Sequence, residues 1–231
     1  MVGSLGASCG MSADATQPGL KLARLKYGGG GDWYSNPTSL PNLAQALEQR
    51  TSIPIAQESE VHVAPLDEEL FDYPLLYMNG HGQVRLTDGE AERLRRYLLA
   101  GGFLFADDNY GMDPSFRATM RQLFPERELV AVPFDHPVYH AYYDFPNGPP
   151  KIHEHDGRPP QGLGLFDRGR LMVFYTYESD IGDGLEDPDV HDDPPEKREA
   201  ALRMAINVVV YALTGEAGPR IESAAAEEGT G

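Results

Sequence analysis

The stretch Gly101-Gly102-Phe103-Leu104-Phe105-Ala106-Asp107-Asp108-Asn109-Tyr110-Gly111 decides the fold class. It joins a glycine pair, an apolar run typical of a strand buried on both faces, two adjacent carboxylates and a turn that ends in glycine. Ligands bind beyond the carboxyl ends of strands in open α/β sheets. Asp107 and Asp108 therefore lie where such a fold carries its functional groups.

The elements around this stretch alternate between strands and helices. Thr87 and Glu90 predict a capping box at the start of a helix that the glycine pair ends. Strands are predicted at 20–27, 61–63, 73–78, 103–106 and 129–132, and further helices around 43–47 and at 114–123 and 196–213. This order predicts an α/β fold with a mostly parallel sheet and helices on both faces, similar to flavodoxin. An antiparallel hairpin, 162–166 and 170–177, extends it near the C-terminal edge.

The chain organisation is that of one α/β domain, at 20–215, between two tails at 1–19 and 216–231. Both tails are rich in Gly, Ala, Ser and Glu and are expected to be disordered. The first tail fits the remnant of an export signal, which favours a periplasmic or extracellular protein, with a cytoplasmic one as the alternative. No stretch approaches the ~18 apolar residues of a transmembrane helix. Cys9 is the single cysteine, so no intrachain disulfide forms.

The net charge of −17 restricts the classes of partner. Phosphate contacts need a basic face, so the charge argues against a nucleic-acid-binding protein and disfavours anionic lipid. It is compatible with cation binding and equally with a solvated acidic surface. The partners that fit are a protein, a second copy of the chain or a carbohydrate.

The first candidates for catalysis are Asp108, His81 and His136. A carboxylate at a strand end serves as a general base, a metal ligand or an acceptor for a sugar hydroxyl, but Asp also caps helices and turns. His81 follows another buried strand in the glycine-flanked loop 79–82, either as a turn residue or as an acid/base partner of Asp108. His136 and His140 would share one face of a helical turn, a usable metal-ligand spacing, although a buried histidine bonded to backbone explains either equally well.

Two polar segments are candidates for a divalent cation. Asp180, Asp183 and Glu186 lie in an acidic, glycine-rich segment after a strand and can offer oxygen ligands to Ca²⁺ or Mg²⁺, or can form a solvated loop. The spacing is not that of an EF-hand. His153 and His155 can bind a transition metal such as Zn²⁺, or they can lie in an exposed loop.

The remaining candidates are ligand-binding residues. Trp33 can stack on a sugar or cap the core. The aromatic run at 134–145 covers the core or forms a subunit contact. The residues predicted to bind a ligand are Asp107, Asn109, His140, Tyr143 and Trp33.

Several phrases resemble a bacterial family, the domain of unknown function 4159 family. They include Leu94-Arg95-Arg96-Tyr97-Leu98-Leu99-Ala100-Gly101-Gly102-Phe103 and Asp135-His136-Pro137-Val138-Tyr139-His140, together with 70–77, 107–108, 124–125 and 207–214. The resemblance covers about 20–214. Members often accompany AAA-type ATPases and von Willebrand factor A-type proteins, which implies a role in the cell envelope or in assembly.

The order of elements more distantly resembles the glutamine-amidotransferase-like fold, which includes trehalose-utilisation-type proteins. That resemblance implies a sharp elbow after the central strand, where enzymes carry a Cys. This chain has Asp107 and Asp108 in the comparable place, so the thiol mechanism does not transfer. We therefore expect a non-catalytic binding or assembly module of the bacterial cell envelope. The alternative is a hydrolase that acts on a carbohydrate or similar polar substrate through Asp/His acid–base groups, with a divalent metal.

Overall fold

A computed structural model describes residues 19–215 and contains a seven-stranded sheet. The strands are β1 (Leu20–Leu25), β2 (Ile55–Val63), β3 (Leu75–Gly80), β4 (Phe103–Asp108), β5 (Val130–Ala131), β6 (Gln161–Asp167) and β7 (Arg170–Tyr177). The spatial order is β2-β1-β3-β4-β7-β6-β5. The predicted tails lie outside the described residues, apart from Gly19.

The sheet is mixed but mostly parallel. Strands β1, β2, β3, β4 and β7 run parallel, whereas β6 pairs antiparallel with β7 and β5 antiparallel with β6. The predicted α/β class and the antiparallel extension are therefore confirmed. The register sets Asn79 of β3 beside Asp107 of β4, and Asp107 beside Thr176 of β7. Three polar side chains thus meet at the C-terminal ends of the parallel strands, which we call the carboxyl edge.

Helices cover both faces of the sheet. They are α1 (Ser39–Arg50), α2 (Asp88–Leu99), α3 (Asp113–Leu123), the short α4 (Ile181–Leu185) and α5 (Pro188–His191), and α6 (Pro195–Thr214). One apolar core packs α1 and α6 against the sheet, and a second packs α2 and α3 against the opposite face. None of the helices within 19–215 is long and apolar enough to cross a bilayer.

The glycine pair before β4 has a steric basis. The capping box at Thr87 and Glu90 is present, so α2 begins where the sequence predicts. Gly101 ends it with a φ of 119°, a backbone conformation that favours glycine. A Cβ on Gly102 would lie 2.3 Å from the ring of Tyr97, so only glycine lets β4 start this close to the helix.

Three predicted elements differ from the structure. β2 is longer than the predicted 61–63, because this edge strand carries polar residues that hide its periodicity. β5 has only two residues, both exposed. The segment 178–186 contains α4 and is largely buried, so the alternative of a solvated acidic loop is wrong.

Candidate functional site

The main polar feature of the carboxyl edge is a group of histidines and carboxylates, which we call the His–carboxylate cluster. It forms where β7 ends, because the chain turns through Glu178 and Asp180, both with positive φ (60° and 62°), into α4 and α5. The segment before β6 packs against this turn. The cluster consists of His153, His155, Asp180, Asp183, Glu186, His191 and Asp193.

His153 is the centre of the cluster. Its Nδ1 lies 2.8 Å from Asp180 Oδ2 and 3.1 Å from Asp183 Oδ2. Its Nε2 lies 3.1 Å from Asp193 Oδ2. The hydrogen bond to Asp180, followed by that to Asp183, raises the pKa of His153 to about 10. The imidazole is therefore cationic at neutral pH and neutralises part of the surrounding acidic charge.

His191 and His155 extend the cluster on either side. His191 Nε2 lies 3.6 Å from Asp183 Oδ2 and 3.1 Å from Glu186 Oε2. The His153 and His191 rings meet edge-on with centroids 5.4 Å apart. His155 Nε2 lies 3.2 Å from Asp180 Oδ2, and this hydrogen bond raises the pKa of His155.

Asp183 links the cluster to a buried network at the ends of β1 and β3. Its Oδ1 accepts hydrogen bonds from the side-chain amides of Asn36 and Asn109, the latter at 2.7 Å. Asn36 Oδ1 in turn accepts from Asn79 Nδ2 at 2.7 Å, and Asn79 Oδ1 accepts from the buried Arg24 at 2.7 Å. Burial would raise the pKa of Asp183, but its hydrogen bonds with His153 and Asn36 outweigh it and leave the pKa lowered.

Asp107 lies beneath the cluster and is completely buried. It accepts hydrogen bonds from the Thr176 hydroxyl and, at 2.6 Å, from the Gly182 backbone N–H. Burial, together with the charge of Asp180, raises the pKa of Asp107 to about 8. Asp107 is thus mostly protonated at neutral pH.

Asp108 points to the opposite face of the sheet, as expected for adjacent residues of a strand. Its Oδ1 accepts from the backbone N–H groups of Tyr110 (3.1 Å) and Met112 (3.0 Å), just before α3. Burial raises the pKa of Asp108. The turn that it holds gives Tyr110 a φ of 115° and leaves its side chain 52% exposed.

The family follows from comparison with known proteins. A family model described as Domain of unknown function (DUF4159) matches residues 21–213. The chain belongs to the DUF4159 family. No curated protein matches it. The predicted membership of the domain of unknown function 4159 family is thereby confirmed, and the family description names no activity.

Five of the predicted site residues of this DUF4159 domain come together at the carboxyl edge. They are Asp107, Asn109, Asp180, Asp183 and Glu186. His81 lies in a neighbouring loop, where its Nδ1 is 3.0 Å from Asp32 Oδ2 rather than paired with Asp108. The Trp33 ring contacts the His62 ring, with centroids 5.2 Å apart.

His136, His140 and Tyr143 lie elsewhere, between β5 and β6 in the chain. His136 Nδ1 accepts from the Val138 backbone N–H at the start of a 3-10 helix, Pro137–Tyr139. His140 bonds Asp144 and the Phe134 carbonyl through its two ring nitrogens. Tyr143 packs under the guanidinium of Arg203 on α6.

The sequence did not reveal His191 or Asp193 as site residues. It left two interpretations of His153 and His155, either as ligands of a transition metal or as residues of an exposed loop. His153 and His155 alternate with the exposed Glu154 and Asp156, a pattern that does not reveal which side chains turn inward. His191 ends a single-turn helix, five residues beyond the acidic segment 178–186 that was predicted as a candidate cation site. His191 contacts Glu186 within the same stretch of chain, whereas the contacts of His153, His155 and Asp193 join distant segments.

Proposed function

We propose that this DUF4159 domain is a non-catalytic binding or assembly module of the bacterial cell envelope, and that its partner contacts the turn after β4. The observation that carries the proposal is Tyr110, an exposed aromatic residue with positive φ on the turn beyond the central strand. Enzymes of the glutamine-amidotransferase-like fold that the chain resembles carry a cysteine at the elbow in this region. The single cysteine of this chain, Cys9, lies outside the described residues.

The backbone of Tyr110 supports a role for its side chain. A bulky residue at positive φ is strained, at a cost of about 1–3 kcal/mol, and such strain persists where the surroundings over-determine it. The two backbone hydrogen bonds to Asp108 supply that restraint. Glycine would adopt the turn without strain. A tyrosine at this position costs stability, and a role of its side chain in contacting a partner would account for that cost.

The bonding of the two adjacent carboxylates supports a structural role for them. Asp108 accepts two backbone N–H groups, and Asp107 accepts a hydroxyl and a backbone N–H. Both side chains are buried. They therefore shape the turn and the start of α4, and their predicted catalytic and ligand-binding roles are not needed by the module.

The chemistry of the surrounding surface suggests the kind of partner. The Tyr110 hydroxyl lies 3.4 Å from Asp156, and its ring lies 5.0 Å from the His155 ring. A Cβ on Gly111 would lie 3.9 Å from the backbone nitrogen of Gly82, so the loop that carries His81 adjoins this turn. Aromatic and acidic groups on a chain of net charge −17 are complementary to a protein surface that carries basic residues.

Site-specific photo-crosslinking in the producing cell tests the proposal. A photoreactive phenylalanine analogue replaces Tyr110 or, as a control, Phe134, which is similarly exposed (55%) but lies beside β5. We expect a discrete covalent adduct with one protein from position 110 and none from position 134. Equal labelling from both positions, or no adduct from position 110 in folded protein, would contradict the proposal.

The alternative function is hydrolysis of a carbohydrate or similar polar substrate with a divalent metal. It is favoured by one observation, the approach of His153, Asp183 and His191 ligand atoms within 4.8 Å of one another. Assays with nitrophenyl glycosides and esters, with and without added Zn²⁺, distinguish the two functions. Zinc-dependent turnover that is lost in His153→Gln supports the hydrolase, whereas the binding module predicts none.

A further inference from the structure

We propose that His153 Nδ1, Asp183 Oδ2 and His191 Nε2 bind a first-row divalent transition-metal ion, with Zn²⁺ as the reference ion. This site goes beyond a binding surface at Tyr110 and does not depend on it. Its three residues come from different parts of the chain, namely the segment before β6, α4 and α5.

The separations between the donor atoms fit a metal coordination shell. At the usual Zn–N and Zn–O distances of about 2.0–2.2 Å, adjacent ligands of a tetrahedral ion lie roughly 3.3–3.5 Å apart. Asp183 Oδ2 lies 3.1 Å from His153 Nδ1 and 3.6 Å from His191 Nε2. All three donor atoms lie within 4.8 Å of one another, so the side chains can close around one ion by local shifts.

The outer contacts orient the ligands as in known metal sites. A metal-ligating histidine usually donates its other ring N–H to a carboxylate, and ligating carboxylates are themselves hydrogen-bonded. His153 has Asp193 at its Nε2, at 3.1 Å. Asp183 Oδ1 is held by Asn36 and Asn109, which leaves Oδ2 for the ion.

A separate observation concerns Asp180. This side chain is 1% exposed, and its Oδ1 has no hydrogen-bond partner among residues 19–215. Its Oδ2 lies 2.8 Å from His153 Nδ1, so the carboxylate directly adjoins the proposed ligands. A buried carboxylate oxygen without a partner is unfavourable, and a cation beside it would remove that cost.

The donor set selects the class of metal. Two imidazole nitrogens and a carboxylate suit Zn²⁺ and its first-row neighbours, whereas Ca²⁺ and Mg²⁺ prefer oxygen ligands alone. His153 and His191 are both partly exposed, so an ion can enter from solvent and keep a position open for water. Asp180 and Glu186, two of the acids predicted from sequence to bind metal, lie at the margins of this mixed site.

Zinc titration of the full-length, tag-free chain tests the site. The protein carries Cys9→Ser, because a thiolate binds zinc, and is stripped with EDTA before isothermal titration with ZnCl₂. Elemental analysis after gel filtration gives the stoichiometry. We expect one equivalent of zinc, and a melting temperature that rises with zinc concentration.

Variants locate the ion. His153→Gln and His191→Gln should each weaken zinc binding by about 100-fold or more, and the outer-shell change Asp193→Asn by about 10–100-fold. His136→Gln and His140→Gln are matched controls and should bind zinc as the unmodified chain does. His191 lies on a partly exposed single-turn helix, so its variant tests the site even if Asp183→Asn fails to fold.

Three results would overturn the inference. One is the absence of zinc binding by folded protein at micromolar concentrations. Another is stoichiometric binding that both histidine variants retain. The third is displacement of zinc by equimolar Mg²⁺ or Ca²⁺, which would show that the site is an oxygen site of another class.

Discussion

Two pairs of histidines in this protein differ in how their surroundings are assembled. His153 and His191 are distant in the sequence, but their rings meet and share Asp183. His136 and His140 are four residues apart, yet each bonds its own partners. Sequence spacing favoured the second pair, and the fold assembled the first.

The reason for the difference lies in the local backbone and the neighbours. Pro137 begins a short 3-10 helix, so His136 and His140 lie at its two caps rather than on one face of an α-helix. The His136 ring packs against Phe166 and Tyr211, an apolar environment that favours neutral imidazole. The His153 ring is surrounded by carboxylates, which favour the cation or a metal ion.

The largest effect on stability is expected from removing Arg24. Its hydrogen bonds lead through Asn79 and Asn36 to Asp183 in the His–carboxylate cluster. Arg24 is buried and donates to Glu60, Asn79 and the backbone carbonyls of Ser35 and Asn36. Arg24→Ala leaves Asn79 Oδ1 without a donor and removes the buried cation that pairs with Glu60, at a cost of about 3–5 kcal/mol in the free energy of unfolding.

Urea unfolding measures this loss. The control is Arg121→Ala on the exposed side of α3, for which we expect a change within about 0.5 kcal/mol. Similar losses in the two variants would show that the Arg24 network does not support the carboxyl edge.

The pH dependence of stability tests the protonated state of Asp107 beneath the cluster. Its pKa is raised to about 8 in the folded state, so the native protein holds a proton that the unfolded chain releases at a much lower pH. The stabilising contribution is complete below the ordinary Asp pKa and is lost as the pH rises towards 8. The slope from this group is at most about 1.4 kcal/mol per pH unit.

Asp107→Asn isolates that contribution, because the amide keeps the shape of the carboxyl group but does not titrate. Unfolding curves between pH 4 and pH 8, in EDTA, should fall more steeply for the unmodified chain than for the variant. Parallel curves would mean that Asp107 is ionised in the folded protein.

Relief of backbone strain at Tyr110 is expected to have a smaller effect and the opposite sign. Tyr110→Gly should raise the free energy of unfolding by about 1 kcal/mol, since glycine adopts positive φ without strain but loses more entropy on folding. Tyr110→Ala keeps the strain and serves as the control. A glycine variant less stable than the alanine variant would indicate that the turn is not strained.

The smallest effect on stability is expected for His136, whose ring packs against Phe166 and Tyr211. Burial lowers the pKa of His136, so its native state resists protonation. Its contribution to stability is present above the ordinary histidine pKa of about 6.5 and decreases as the pH falls below that value. His136→Gln should flatten this acid-side decrease in thermal melts, and an unchanged profile would place the ring in an environment as polar as water.

Local patterns were sufficient for most elements of the fold. The capping box at Thr87, the glycine pair that ends α2 and the apolar run of β4 each depend on neighbours in the sequence, and each is present as predicted. The length of β2 was underestimated, because its polar residues lie on an edge strand, where burial does not impose an alternation of apolar and polar residues.

The sequence by itself determined the parallel sheet, its antiparallel extension and the position of two acids at the end of the central strand, because strand and helix periodicities are local. The sequence predicted Asp180, Asp183 and Glu186 as one candidate cation site, and only the tertiary structure added His153 and His191 to it. His153, Asp183 and His191 meet because β7 ends beside the segment that precedes β6 and then turns back at Asp180. Contacts between distant segments depend on strand order and turn geometry, which the spacing of residues along the chain does not show.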